Sequence, residues 1–192
     1  MAQNKKEMIV RAAIEVFRNK GIEKTKISDI VQVAGVAQGT FYLYFPSKLS
    51  LMPAIAEVMV EKTMEILRSA VSEKASFSDQ MQQFVEAIFK INEEYHEIQA
   101  LIYSGLASTE HLKEWEAVYE PIYVWLSEKL DKAKDTGEIR NSIRSAHTAK
   151  LIIGLVESAA EQIYLYDSQA ENMADTQKKE VKEFLKHALQ ME

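Results

Sequence analysis

Gln38, Thr40, Tyr42 and Tyr44 stand in one short segment, each with a hydrogen-bonding tip on a stem of moderate reach. Such side chains suit recognition of base edges and phosphates by a helix lying in a groove of duplex DNA. Gly39, between the first two, lets backbone come close to a partner. Residue types that perform covalent chemistry are poorly organised by comparison. The four histidines, His96, His111, His147 and His187, are scattered. Glu93 and His96 make one Glu-x-x-His pair, but a di-iron bundle needs two. There is no cysteine, which removes disulfides and thiolate metal sites. No phosphate-binding loop, glycine-rich dinucleotide turn or nucleophile elbow is present. The expectation is a protein that is not an enzyme, with no metal and no cofactor.

Helices must position these residues, because the periodicity is helical almost throughout. Ile9, Ala12, Ala13, Val16 and Phe17 follow i, i+3, i+4, i+7, and Gly21 falls where a helix would end. A short helix is predicted over 28–34, closed by Gly35 in a left-handed turn, and a second over 38–44, ended by Pro46. Ser47 is placed to cap a long helix over 48–71, which Pro53 should bend. Ser76 or Ser78 caps the next. Helices near 97–106, 110–136, 145–166 and 176–190 follow, with Pro121 kinking or breaking the second of these. No segment alternates with the two-residue period of a strand. The result is an all-α chain of nine helices.

Charge divides the chain. Residues 1–50 carry eight Lys/Arg against four Asp/Glu, whereas the whole 192-residue chain is −6. A basic head on an acidic body attracts nucleic-acid phosphates to one end only. The longest aliphatic run, Leu151 to Val156, is far too short to span a bilayer. The N-terminus lacks the apolar core of a signal peptide. A soluble cytoplasmic protein with no membrane partner is expected.

Within residues 25–48, Ile27, Ile30, Val31, Ala34, Val36, Phe41 and Phe45 form an apolar set that locks two short helices around the glycine turn. Lys48, at the start of the next helix, can hold a phosphate. The runs Asp29-Ile30, Ala34-Gly35-Val36, Gly39-Thr40-Phe41-Tyr42, Tyr44-Phe45 and Ser47-Lys48 resemble the DNA-binding signature of the tetracycline-repressor (TetR) family. The resemblance is specific over about residues 8–52. It implies a TetR-like fold: a three-helix helix-turn-helix head, residues 1–48, joined by a long helix to a ligand-sensing and dimerisation body, residues 49–192. It implies that Thr25, Lys26, Ser28, Gln38, Gly39, Thr40, Tyr42, Tyr44 and Lys48 face DNA. Val31 stands where the family mostly has alanine, Ala37 replaces a common capping serine, and Lys26 replaces a common Thr/Ser cap.

The same resemblance implies double-stranded operator DNA, a second copy of the chain and a small-molecule effector as partners, with repression the common outcome. The segment 145–166 supports a dimer independently, since it is apolar on two sides. Leu151, Leu155, Ser158, Gln162 and Leu165, with Phe184, Leu185 and Ala188, form the expected dimer face. Tyr103, Trp115, Tyr119, Tyr123, Glu157 and Glu161 are the candidate effector residues, because apolar walls with a few polar groups suit an organic ligand. The competing readings are an aromatic core with no pocket, a helical adaptor that binds proteins without sequence-specific DNA binding, and a small-molecule enzyme.

Overall fold

The computed structural model describes residues 4–107, 117–166 and 173–191. Among them are eight α-helices and no strand. They are α1 (Lys5–Lys20), α2 (Ile27–Ala34), α3 (Gln38–Tyr44), α4 (Met52–Ala70), α5 (Phe77–Ala107), α6 (Glu120–Asp135), α7 (Ser145–Glu161) and α8 (Ala174–Leu189). One 3-10 turn, Leu49–Leu51, leads into α4, and one π turn, Gln162–Tyr166, continues α7.

Two differences from the expected helices have simple causes. The segment 97–106 is not a separate helix but the end of α5, which meets neither proline nor glycine before Gly105. Proline does not bend α4 from within, because the helix begins at Met52 and Pro53 lies in its first turn, where no amide donor is needed. Pro121 likewise sits at the start of α6. Ser47 caps the 3-10 turn instead of a long helix: its hydroxyl accepts from the Ser50 amide at 3.2 Å, and the Ser50 hydroxyl donates back to the Ser47 carbonyl at 2.6 Å.

The chain forms two compact units, Met1–Met59 with Glu97–Val118, and Val60–His96 with Tyr119–Glu192. The first extends past the expected boundary at residue 48. Leu51, Met52 and Ile55 are buried and continue its apolar core. In that unit α1 packs on α2 and α3. Asn4 starts α1 by accepting the Lys6 amide, and Gly21 ends it with a positive φ of 72° while its N–H returns to the Phe17 carbonyl at 2.8 Å. Ile9, Ala13, Val16 and Phe17 turn inward.

In the second unit, the turn Thr136-Gly137-Glu138 fixes the start of α5. Gly137 has φ 77°, and the Glu138 carboxylate accepts the Phe77 amide at 2.7 Å. That hydrogen bond, with one from the Thr136 hydroxyl, holds the Glu138 carboxyl below its ordinary pKa. Lys129 is buried, 7% exposed. Its ammonium donates to Glu73 at 2.6 Å and to buried Gln80 at 3.4 Å, over the Trp125 ring at 4.8 Å. Lys129→Ala should cost about 2–3 kcal/mol, because it deletes a buried stem and leaves the Gln80 oxygen without its donor. Urea unfolding checks this; an unchanged midpoint would show that the clamp contributes nothing.

Candidate functional site

The two-helix motif is assembled from its turn outward. Gly35 closes α2 with φ 66° and ψ 31°, a left-handed conformation open to glycine. The Val36 amide then reaches the Val31 carbonyl at 3.1 Å. Val31 itself is buried with Ile30 and Ala34. At the other end of α2, Lys26 occupies the cap position without a side-chain oxygen to offer, and Asp29 makes the return half of a capping box by accepting the Lys26 amide at 3.0 Å. Asp29 also meets the Lys20 ammonium at 3.2 Å, which ties α1 to α2. The Lys26 amide first, and then Lys20, hold the Asp29 carboxyl below its ordinary pKa. Ala37 provides no side-chain cap to α3.

Phe41 (0% exposed) and Phe45 (4%) anchor α3 in the core. Their rings are 5.7 Å apart, and Tyr42 meets Phe41 edge to face at 5.6 Å. Gln38, Gly39, Tyr42 and Tyr44 are exposed and Thr40 is half-buried. Lys26 and Ser28 are exposed at the start of α2. Leu43, which the sequence reading passed over, is 82% exposed. Its position two residues after Phe41, on the far side of a helix turning about 100° per residue, was the available signal.

Two expected DNA-facing residues have other work. Thr25 is 3% exposed, and its hydroxyl donates to the Gly21 carbonyl at 2.7 Å. It is a structural residue of the loop between α1 and α2, since a buried hydroxyl takes the nearest acceptor. Lys48 is half-buried and donates its ammonium to the Ile22 carbonyl and, at 2.9 Å, to the Thr25 carbonyl. It clamps that loop to the segment leading into α4.

Among the candidate effector residues, Trp115 lies outside the described residues, and Tyr103 is half-buried in the part of α5 that belongs to the first unit. The second unit brings the others together. Tyr119 and Tyr123 have ring centres 6.0 Å apart, and the Lys150 ammonium lies 4.7 Å above the Tyr123 ring. Glu157 is half-buried as a residue, but its carboxyl end is packed in by protein. Burial, and then the charge of Glu161, push its pKa up to about 8 against the opposing hydrogen bond from Tyr119. A groove of about 920 Å³ lies elsewhere in this unit, with Ile66, Phe89 and Tyr164 among its apolar walls and Glu86, Lys178 and Lys182 among its charged ones. Tyr103, Tyr119, Tyr123, Glu157 and Glu161 do not line it. Among the described residues, no group of three His, Asp or Glu side chains could hold a metal ion.

On the expected dimer face, Leu151 is 74% and Phe184 61% exposed. Ser158 and Gln162 are exposed, and Leu155, Leu165 and Ala188 are half-buried. Leu185 is a correction: it is 3% exposed, because with Val181 and Leu189 it forms the inward stripe of α8.

A helix-turn-helix with its outer face exposed, followed by a helical body, defines a DNA-binding transcriptional regulator. Residues 9–55 match the family described as bacterial regulatory proteins, tetR family, and residues 81–189 match the tetracyclin repressor-like C-terminal domain. The chain belongs to the TetR family. It is 43% identical over 185 residues, 96% of this chain and 95% of the relative, to the uncharacterized HTH-type transcriptional regulator YvdT of Bacillus subtilis. Its fold is similar to Salmonella enterica GusR, with TM-score 0.76, 21% identity and coverage of 97% of this chain and 95% of that one. It is also similar to Bacillus subtilis FadR in complex with stearoyl-CoA, with TM-score 0.70, 19% identity and coverage of 91% and 96%.

Two consequences are measurable. Lys48→Met should destabilise the chain by about 1–2 kcal/mol in chemical unfolding, because two carbonyl groups lose a charged donor; unchanged stability with weakened DNA binding would restore a phosphate role. Glu157, with a native pKa near 8, binds more protons folded than unfolded from the ordinary carboxylate range up to that value. Its contribution to stability therefore falls as pH rises through this window. Glu157→Gln should raise the melting temperature at pH 9 and change it little at pH 5; equal shifts at both would show an ordinary pKa.

Proposed function

We propose that the chain is a homodimeric repressor in the cytoplasm, released from its operator by a small organic effector bound in the helical body. The observation that carries the DNA-binding half is the face of α3, where Gln38, Gly39, Tyr42 and Tyr44 are exposed above buried Phe41 and Phe45. Lys26 and Ser28 flank it from α2. A dimer is supported by the exposed apolar side chains Leu151 and Phe184 on α7 and α8. Two recognition helices about 34 Å apart then meet successive turns of one duplex face.

The effector reading rests on the tyrosine and glutamate cluster around Glu157, on the groove beside Phe89, and on the similarity in fold to FadR, whose structure holds stearoyl-CoA. The effector acts through its difference in affinity between the DNA-competent and released forms. The helices α4 and α5, each with residues in both units, are elements able to carry that difference. An adaptor without DNA binding is not favoured, since the similarity to YvdT, named an uncharacterized HTH-type transcriptional regulator, runs along nearly the whole of both chains.

Gel shifts with DNA flanking the protein's own coding region, at moderate salt, test the proposal. Tyr42→Ala should weaken specific binding by about tenfold or more while sedimentation still reports a dimer. Equal binding to random DNA, absence of binding, or a monomer at micromolar concentration would overturn it.

A further inference from the structure

We propose that Gly39 and Leu43 form the strip of α3 that enters the major groove most deeply, and that Leu43 reads a thymine by packing on its C5 methyl group. This rests on the DNA-binding reading above and assigns part of its sequence specificity.

The rotation of α3 places the strip. Phe41 is fully buried and marks the inner pole of the helix. Leu43 follows it by two residues, about 200° of rotation, and so stands close to the opposite pole. Gly39 lies one turn before Leu43, on nearly the same line. The exposures agree: Leu43 is 82% exposed, against 50% for Tyr42 and 43% for Tyr44 on the flanks.

The chemistry of the two residues then differs from that of their neighbours. Leu43 offers neither donor nor acceptor, and the one apolar feature on the base edges of the major groove is the thymine methyl. Glycine at 39 is not required by the fold. It has no positive φ, and a Cβ built there meets nothing within 4 Å. In a helix glycine is also weaker than alanine. A residue that the helix disfavours and the core does not need fits a backbone that something outside the chain must approach closely. Gln38 and Thr40 beside it supply the hydrogen bonds that a leucine cannot.

The test uses the full chain and an operator obtained by selection from random duplexes. Each thymine is replaced in turn by deoxyuridine, which removes only the C5 methyl. At one thymine per half-site the wild-type protein should lose about fourfold in affinity, the worth of one buried methyl. Leu43→Ala should be insensitive to the same replacement and should lose discrimination at that position alone. Gly39→Ala should melt no lower than the wild type yet bind at least tenfold more weakly. The proposal fails if Leu43→Ala and wild type respond equally at every thymine, or if Gly39→Ala binds normally. If no sequence is selected at all, the DNA-binding reading beneath it fails as well, and that outcome is distinct from the other two.

Discussion

The burial of Phe41 is the contact on which the DNA-binding head depends. A helix of seven residues has about two turns and little cohesion of its own. It is held by tertiary packing, and one fully buried ring with a second beside it sets both its depth and its rotation. Everything that α3 displays outward follows from that rotation. The glycine turn at Gly35 and the Asp29 contacts with Lys20 and Lys26 hold α2 and α1 as the floor into which the ring fits.

Much of the head was legible in the sequence because its signals are local. The left-handed glycine, the apolar spacing of Ile30, Val31 and Ala34, and the polar residues around Phe41 each act within a few residues. Thr25 was misread, and the loop contacts of Lys48 were missed, for the opposite reason. Their partners are set by the path of the loop between α1 and α2: Thr25 closes on Gly21, while Lys48 reaches back to Ile22 and Thr25 across more than twenty positions. A family signature names such positions without saying which way their side chains turn. Leu43 was missed because polarity, not rotation, was used to choose the outer face.

The body was harder to read. Its helices were predicted from period, but the union of 97–106 with α5 depended on the absence of a breaker, and the placement of Pro53 and Pro121 on helix starts. The same proline can bend a helix or open one, and only the neighbouring turn decides. Leu185 shows the limit of assigning faces by composition: α8 has Phe184 outward and Leu185 inward, adjacent apolar residues with opposite fates. Polar clamps such as Lys129 with Gln80 join residues 49 apart in sequence and leave no periodic trace.

Glu157 has a bearing on thermodynamics that extends past stability. A carboxyl neutral at pH 7 is a stored proton lodged between tyrosine and a second glutamate. Any guest that requires the anion there must expel that proton into the medium, and any guest content with the neutral acid need not. Occupancy of this corner and the acidity of the surroundings are thus conjugate quantities. Were a cationic guest to bind there, it would be held more firmly in alkali, and an uncharged one in acid.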